Sequence, residues 1–550
     1  MIKSVQYIVL VIAAAWLMGK ALQRLQLSLA KSPSLGGHLR WAKRIAGWIQ
    51  GYAYDPKRWF HIDGADEQIQ QMRRQALARL GEDLRVRSEV TLRYSNVAKP
   101  MLPDLQFISN YRVPFQFREV LQQHIALGSF WKSSDGVWLT DPDGNRYIDV
   151  TGSYGVNVFG QDFYKDCIAQ GGELVQDLGP VLGSYHPCVL DNLERLQKIS
   201  GKEQFTFHMS GTEAVMQAVR VARYTTGKKK IVRFTSAYHG WWDDVQPGPG
   251  NPMPPSRHTL TLREMHANTL RVLRNRKDIA CVLVNPIQAM HPNRVAPTDS
   301  TLVTGGRRTN YDRQAYTSWL KELRQVCTEK GILLIMDEIF LGFRLAPHGA
   351  QQFFDVKADL ITYGKTIAGG LPIGVVCGNA DVMTRFHNDR PADICFARGT
   401  FKEHPYVMGA MNAFLRSIES KEIKTLYSDL DATWSMRMHK LNQLFKTEGL
   451  PLHVDGLSTV WAVSFDVPSC YNWMLQFYLR LEGIALSWVG TGRMIFSLSF
   501  TDEDFEQFCQ RFIRAAHQMA TDGWWWTPEG QTNKRIRQRI LMEMLKRRFR

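Results

Sequence analysis

LIMDEIFLGFR (Leu334–Arg344) and DLITYGKTIAGGLPIG (Asp359–Gly374) decide the fold of this 550-residue chain. Residues 332–336 form an unbroken apolar run, the pattern of a strand buried on both faces of a parallel sheet. Asp337 and Glu338 close that run, at the carboxyl edge where open α/β sheets carry their ligands. A second short strand, Leu360–Tyr363, leads through Gly364 to Lys365. A lysine desolvated beside an apolar core loses its charge and becomes a nucleophile toward carbonyl carbon. An acid one crossover away can pair with a heterocyclic nitrogen. Taken singly, Lys365 reads as a solvated loop residue and Asp337 as a helix cap; the pairing carries the chemistry.

Outward from that pair, strands and helices alternate. Phe205–His208, Lys230–Thr235, Ala280–Val284, residues 332–336, Asp359–Tyr363 and Ile373–Cys377 read as strands. Helices are expected at Glu213–Thr225 and Tyr316–Lys330, which makes the domain α/β with a mostly parallel sheet. Val137–Val150 (VWLTDPDGNRYIDV) reads as a hairpin turning on Asp143, Gly144 and Asn145. After Pro405 the pattern changes to a smaller α+β unit. Helices are expected at Val407–Ser417 and Ile423–Phe445, weak strands at Val460–Val467 and Met494–Leu498, and a last helix at the TDED signal, Thr501–Asp504.

A phosphate-sized anion fits HMSGTEAVMQAVRVAR (His208–Arg223), where Ser210, Gly211 and Thr212 stand between a strand and a helix whose free N–H groups and dipole favour negative charge. AYHGWWDD follows the next strand, with Tyr238 placed to stack on a flat ring and His239 and Gly240 beside it. RGTF puts Thr400 on a turn near the junction with the smaller unit. A lysine imine, a carboxylate for a ring nitrogen and a phosphate cup are together what pyridoxal 5'-phosphate (PLP) requires.

With DPDGNRYIDV, SGTEAVMQAVRVAR, AYHG, DEIFLGFR, GAQQFF, LITYGKTIAGGLPIG and RGTF in order, Val137–Phe512 resembles the class III (fold-type I) PLP-dependent aminotransferases, most of all their glutamate-1-semialdehyde aminomutase branch. The resemblance implies a large, mostly parallel sheet domain with a smaller α+β C-terminal domain. It makes Lys365 the Schiff-base lysine that shuttles the proton, Asp337 the partner of the pyridine nitrogen, and Ile339 and Tyr238 the residues on the two ring faces. By the same token catalysis rests on Lys365, Asp337 and Tyr238. Ser210, Gly211 and Thr212 would hold the phosphate, with His239 and Asn285 also at the cofactor. Thr400 would reach the phosphate of the neighbouring subunit in a homodimer with shared active sites. No metal is implied.

Two departures stand out. The family's Glu-Pro-Val strand end is Asn285-Pro286-Ile287-Gln288 here, so a charge is replaced by an amide. The Ser-Gly-Asn after the threonine is replaced by Lys402, Glu403 and His404, and Pro292–Tyr311 is a long insert near the expected mouth of the site.

The ends of the chain have another character. Val5–Met18 is strongly apolar, and Lys20, Arg24, Lys31, Arg40, Lys43 and Arg44 follow it. The positive-inside tendency predicts an uncleaved single-pass or interfacial anchor with the catalytic domain in the cytoplasm. Asp66–Leu80 looks helical, and residues 31–110 carry no motif. The tail after Gly523 holds three tryptophans and a basic amphipathic stretch in which Ile536, Ile540 and Met544, with Leu541 and Leu545, make one apolar face, suited to a membrane surface or to docking on its own subunit. The expected division is therefore 1–30 anchor, 31–136 extension, 137–404 PLP-binding domain with the hairpin, 405–520 small domain and 521–550 tail.

An apolar content of 44% excludes wholesale disorder, and eight scattered cysteines without a C-x-x-C pair argue against a disulfide framework or zinc site. The net charge of +16 gathers toward the termini, which fits a membrane surface or an anionic carrier and not nucleic acid. The expectation is an aminotransferase at the membrane moving an amino group from a donor to an aldehyde or ketone. The anchor suggests a lipid, acyl or polyketide-derived acceptor, delivered by an acyl carrier protein. The alternatives are a glutamate-1-semialdehyde-type aminomutase and, from another class, a catalytically silent membrane scaffold.

Overall fold

The computed structural model describes residues 2–105, 113–235, 237–246, 248–287, 305, 312–486 and 492–548. The insert Pro292–Tyr311 lies outside the described residues except for Gly305. At the centre is a seven-stranded sheet: β1 (Gln204–His208), β2 (Lys230–Phe234), β3 (Thr259–Leu262), β4 (Ile279–Val284), β5 (Leu333–Asp337), β6 (Leu360–Gly364) and β7 (Gly374–Gly378). Their spatial order is β1-β7-β6-β5-β4-β2-β3. β7 runs antiparallel to both neighbours, β1 and β6, while the pairs among β6, β5, β4, β2 and β3 are parallel. The mostly parallel expectation therefore holds with one reversed strand. β1 consequently runs the same way as β2 to β6, and the carboxyl ends of these six strands share one edge.

Every residue of β4, β6 and β7 is buried, as continuous apolar runs require when helices cover both faces. The helix Gly211–Thr226 lays Ala214, Val215, Ala218, Val219 and Ala222 on one of those faces. It ends at Gly227, in the left-handed conformation that closes many helices. The expected hairpin pairs Trp138–Thr140 with Arg146–Asp149, and residues 484–485 add a parallel strand beside it.

In the carboxy-terminal part, the single helix expected over Ile423–Phe445 is two, Lys421–Thr425 and Leu430–Thr447. The turn between them carries Tyr427, whose hydroxyl donates to the carbonyl of Phe343 at 2.5 Å. Asp502–Thr521 begins with a reciprocal capping box between Thr501 and Asp504, as the sequence signals.

The described part of the segment without motifs, residues 31–105, contains packed structure. Glu67–Arg87 is a helix capped by Asp66. Its Arg73 is fully buried, paired with Asp63 at 2.8 Å and donating to the carbonyls of Phe60 and Gly523. Trp59, Tyr471 and Trp524 pack around it. The tryptophan-rich tail thus helps bind the extension to the body.

Candidate active site

The edge formed by the strand ends gathers the residues singled out in the sequence. Asp337 ends β5 and is 2% exposed. Its Oδ2 accepts from Nδ1 of His239 at 2.7 Å, and its Oδ1 accepts the Ile339 N–H at 3.1 Å. His239 stands on the loop after β2, and its Nε2 is buried with no protein partner among the described residues. On the same loop Tyr238 is half exposed; burial, then the charge of Asp337, pushes its hydroxyl pKa up.

Lys365 follows β6 on a short 3-10 turn, Lys365–Ala368, with a φ of +50°. Left-handed backbone at a bulky residue is strained, and such strain persists where surrounding structure enforces it. Desolvation lowers the pKa of Lys365 from 10.5 to about 8; Asp337 opposes this, and Arg493 and Arg344 add to it. The ammonium lies 5.3 Å from the Phe340 ring, which also faces the guanidinium groups of Arg344 and Arg493 at 5.8 and 5.7 Å. At pH 7 the ammonium still predominates, and the neutral, nucleophilic amine becomes the major form above about pH 8, well below the point for an ordinary lysine.

Ser210 caps the helix Gly211–Thr226, its hydroxyl accepting from the Glu213 N–H at 3.3 Å. Ile339 covers that turn so closely that a Cβ on Gly211 would lie 2.8 Å from its Cδ1, and Gly364 flanks the same side chain. One aliphatic residue thus touches both the helix start and the turn before Lys365. Thr212 meets the loop after β2, since a Cβ on Gly240 would sit 2.6 Å from Thr212 Oγ1. Asn285, just past β4, is buried, and its amide oxygen has no protein partner among the described residues. Thr400 differs: it is exposed, on a turn whose Gly399 lies near the carboxylate of Glu213.

The sequence reading missed several groups here. Arg344 is fully buried and donates to Thr459 Oγ1 at 2.9 Å and to the carbonyls of Phe496 and Asn157 at 2.8 and 3.0 Å. Arg493 is 4% exposed, and burial followed by Arg344 lowers its pKa to about 10. Glu338 is buried beneath the helix Gly349–Phe354, accepting the N–H groups of Ala350 and Gln351. Burial pushes its pKa up to about 7. Lys402 and Glu403 stand where the family pattern has other residues; the buried Glu403 carboxylate pairs with the half-exposed Arg398 at 2.6 Å and lies 3.9 Å from the Lys402 ammonium. Lys402 and Arg385, after burial, hold the imidazole of His208 down to about 4.

The chain matches the family Aminotransferase class-III over residues 121–244 and 312–516. It belongs to that family. A glutamate-1-semialdehyde 2,1-aminomutase of Clostridium botulinum is 31% identical over 411 residues, covering 70% of this chain and 91% of the relative. The same-named protein of Geotalea daltonii is 29% identical over 62% of this chain and 78% of its own length. Among solved structures, a β-phenylalanine aminotransferase from Variovorax paradoxus superposes with a TM-score of 0.64 at 25% identity, covering 82% of this chain and 98% of that one. A transaminase with PLP bound gives 0.59 at 26% identity, covering 72% and 92%. This class III chain is therefore a PLP-dependent enzyme of the fold-type I architecture.

The residues present fit that cofactor. The cluster offers a helix N-terminus for a phosphate, a lysine of lowered pKa for an aldehyde, a buried carboxylate for a ring nitrogen, and unpartnered polar atoms on His239 and Asn285.

Proposed function

We propose that this class III enzyme relocates an amino group on a small substrate bearing a carboxylate. The observation that carries the reading is the pairing of a partly neutral Lys365 with a buried Asp337 at adjacent strand ends. PLP, when bound, supplies an electron sink beside the nitrogen being moved. Ser210, Gly211 and Thr212 hold its phosphate, Tyr238 and Ile339 its two faces, Asp337 its ring nitrogen, and His239 and Asn285 the flanking polar groups. Lys365 takes up and returns a proton at Nζ, favoured by an amine pKa near the working pH. His239 holds Asp337 in one orientation by donating to its Oδ2. Arg493, buried beside Lys365, attracts an acidic substrate. Thr400, exposed in the single chain, completes the phosphate site of a second copy in a homodimer.

Within this reading the intramolecular aminomutase has the stronger support, because relatives carrying that name match 91% of their length in one case. A second reading, transfer from an amino donor to a separate aldehyde or ketone, is favoured by Asn285, an uncharged residue at the strand end where the family pattern places glutamate. The apolar helix Gln6–Leu29, none of it buried, supports a membrane location for the enzyme and so an acyl, lipid or polyketide-derived acceptor. An acyl carrier protein is the delivery partner that such an acceptor implies. The buried, intact lysine–aspartate pair speaks against a silent scaffold.

The test is product analysis on purified, PLP-loaded protein with glutamate 1-semialdehyde alone, and with carbonyl acceptors plus an amino donor. Isomerisation without donor supports the mutase. Turnover that needs a stoichiometric donor supports the transferase. No spectral response of the cofactor to any amine defeats both.

A further inference from the structure

The two ends of the chain meet. Residues 1–54 contain seven lysines and arginines and no acid, and residues 531–550 contain eight with the single acid Glu543. These segments account for +14 of the chain's net +16. The helix Asn533–Arg548 turns Ile536 and Ile540 onto the body, so part of its apolar face is spent on its own subunit. Its one acid faces the amino-terminal segment: the hydroxyls of Tyr52 and Tyr54 donate to Glu543 Oε2 at 3.0 and 2.7 Å, and Arg58 pairs with the other oxygen. What remains outward is Leu541, Met542 and Leu545, each 43–55% exposed, among Lys534, Arg537, Lys546 and Arg547.

A second helix, Leu39–Trp48, precedes that clamp. It buries Ala42 and ties Lys43 to the carbonyls of Asn251 and Met253. At i, i+4 and i+7, Trp41, Ile45 and Trp48 share a neighbouring stripe on which Ile45 is half-buried. Both tryptophans are more than half exposed, and the Arg44 guanidinium lies 5.5 Å from the Trp41 ring. Trp48 is four residues from Tyr52, so it lies within about 14 Å of the tyrosine that bonds Glu543 on the last helix. The first helix is fastened beside them: the Arg263 N–H donates to the Ala30 carbonyl at 2.8 Å, and Asn275 bonds Gln26 at 3.0 Å.

We propose that Leu39–Trp48 and the outer face of Asn533–Arg548 form one lipid-binding surface that lies on the anionic headgroups of the bilayer entered by the first helix. This rests on the membrane location read above for that helix and adds a second, orienting contact to it. Tryptophan and arginine at the level of the headgroups, with leucine and methionine reaching the acyl boundary, are what an interfacial helix presents. An anionic leaflet complements two terminal segments in which fifteen of sixteen formal charges are positive. A second copy set face to face would bring like charge against like charge. The Tyr–Glu543 clamp then fixes how the catalytic body stands on the membrane.

The full chain, PLP-loaded, carries the test. An environment-sensitive fluorophore is placed at Gln50→Cys or Met542→Cys, and the protein is mixed with vesicles of phosphatidylcholine or of phosphatidylcholine with phosphatidylserine. The native cysteines are all at least partly buried, and the unsubstituted chain gives the background. The expected result is flotation with both vesicles, and a blue shift with quenching by headgroup nitroxides that is stronger with phosphatidylserine. Arg44→Glu with Arg547→Glu should abolish that added shift while flotation persists. Labels that stay wet while the protein floats overturn the proposal and leave the anchor standing. Failure to float overturns the anchor and the proposal together. Shielding that grows with protein concentration without vesicles assigns the face to a second copy and overturns it as well.

Discussion

The imidazole of His239 and the carboxylate of Asp337 meet in a buried contact, Nδ1 donating to Oδ2 at 2.7 Å. They lie 98 residues apart in the chain, one on the loop after β2 and one at the end of β5, and meet because both strands end on the same edge of the sheet. A carboxylate that accepts such a donor is held in one orientation.

A hydrogen bond to a charged group contributes about 1.5–3 kcal/mol, so His239→Phe should weaken PLP binding about 10- to 150-fold. Absorbance titration of the apoprotein measures this. His239→Gln, which keeps a donor, should recover part of the affinity, and a recovery no better than that of His239→Phe would assign the histidine a packing role.

The lysine makes a pH prediction. Lys365 has a pKa of about 8 in the folded chain against 10.5 for an ordinary lysine. Between those values the unfolded chain binds more protons, so apoprotein stability rises as pH climbs from about 8 toward 10.5. Below pH 8 the folded state carries the full cost of a desolvated ammonium. Lys365→Met should flatten this rise and be more stable than the unsubstituted apoprotein at pH 7, by denaturant midpoints. It should also lower turnover by about 10²–10⁴-fold, the usual contribution of a positioned proton carrier, and leave no borohydride-fixed cofactor on the peptide bearing position 365.

Beneath the site, Gly349 has a φ of +72°, and a Cβ there would stand 2.6 Å from Glu338 Oε2. Gly349→Ala combines a left-handed alanine with a steric conflict against a buried carboxyl. It should destabilise the fold by about 1–3 kcal/mol, visible as a lower urea midpoint with an unchanged slope. The Glu338 pKa, raised by burial to about 7 from 4.5, sets the opposite pH trend to the lysine. Here the folded chain holds the extra proton, so this contribution to stability is present below pH 4.5 and lost as pH rises through 7.

How far the sequence reached follows from what kind of signal each element carries. β4, β5, β6 and β7 are apolar runs and could be read directly, as could the capped helices after Ser210 and Thr501. β3 was missed because Thr259-Leu260-Thr261-Leu262 is half polar and sits at the sheet edge, where one side needs no partner. The break near Tyr427 was missed because a tertiary hydrogen bond to Phe343 accompanies the turn there, and nothing local announces it. Ser210, Asp337 and Lys365 were legible because strand ends fix their direction. Arg344 and Arg493 were not: Arg344 is held by Asn157, Thr459 and Phe496, each more than a hundred residues away, and an isolated arginine in TGRMIFS carries no pattern.

Arg493 supports the last prediction. Its guanidinium and the Lys365 ammonium face the same Phe340 ring, and its charge is among the causes that depress the lysine. Removing it acts on two separable quantities. A substrate carboxylate loses a buried cation, an interaction worth about 2–5 kcal/mol when one partner is truncated, so Arg493→Met should raise the KM for acidic substrates by at least about tenfold. The lysine loses a repelling neighbour, so its protonated form is less disfavoured and its pKa should rise above 8. The rate of PLP uptake by the apoprotein, followed against pH, would then move its midpoint upward. Arg493→Lys, which keeps the charge, should leave that midpoint in place while still weakening substrate binding, because an ammonium lacks the paired donors of a guanidinium. A midpoint unmoved in Arg493→Met, with KM unchanged, would mean that Arg493 serves packing alone.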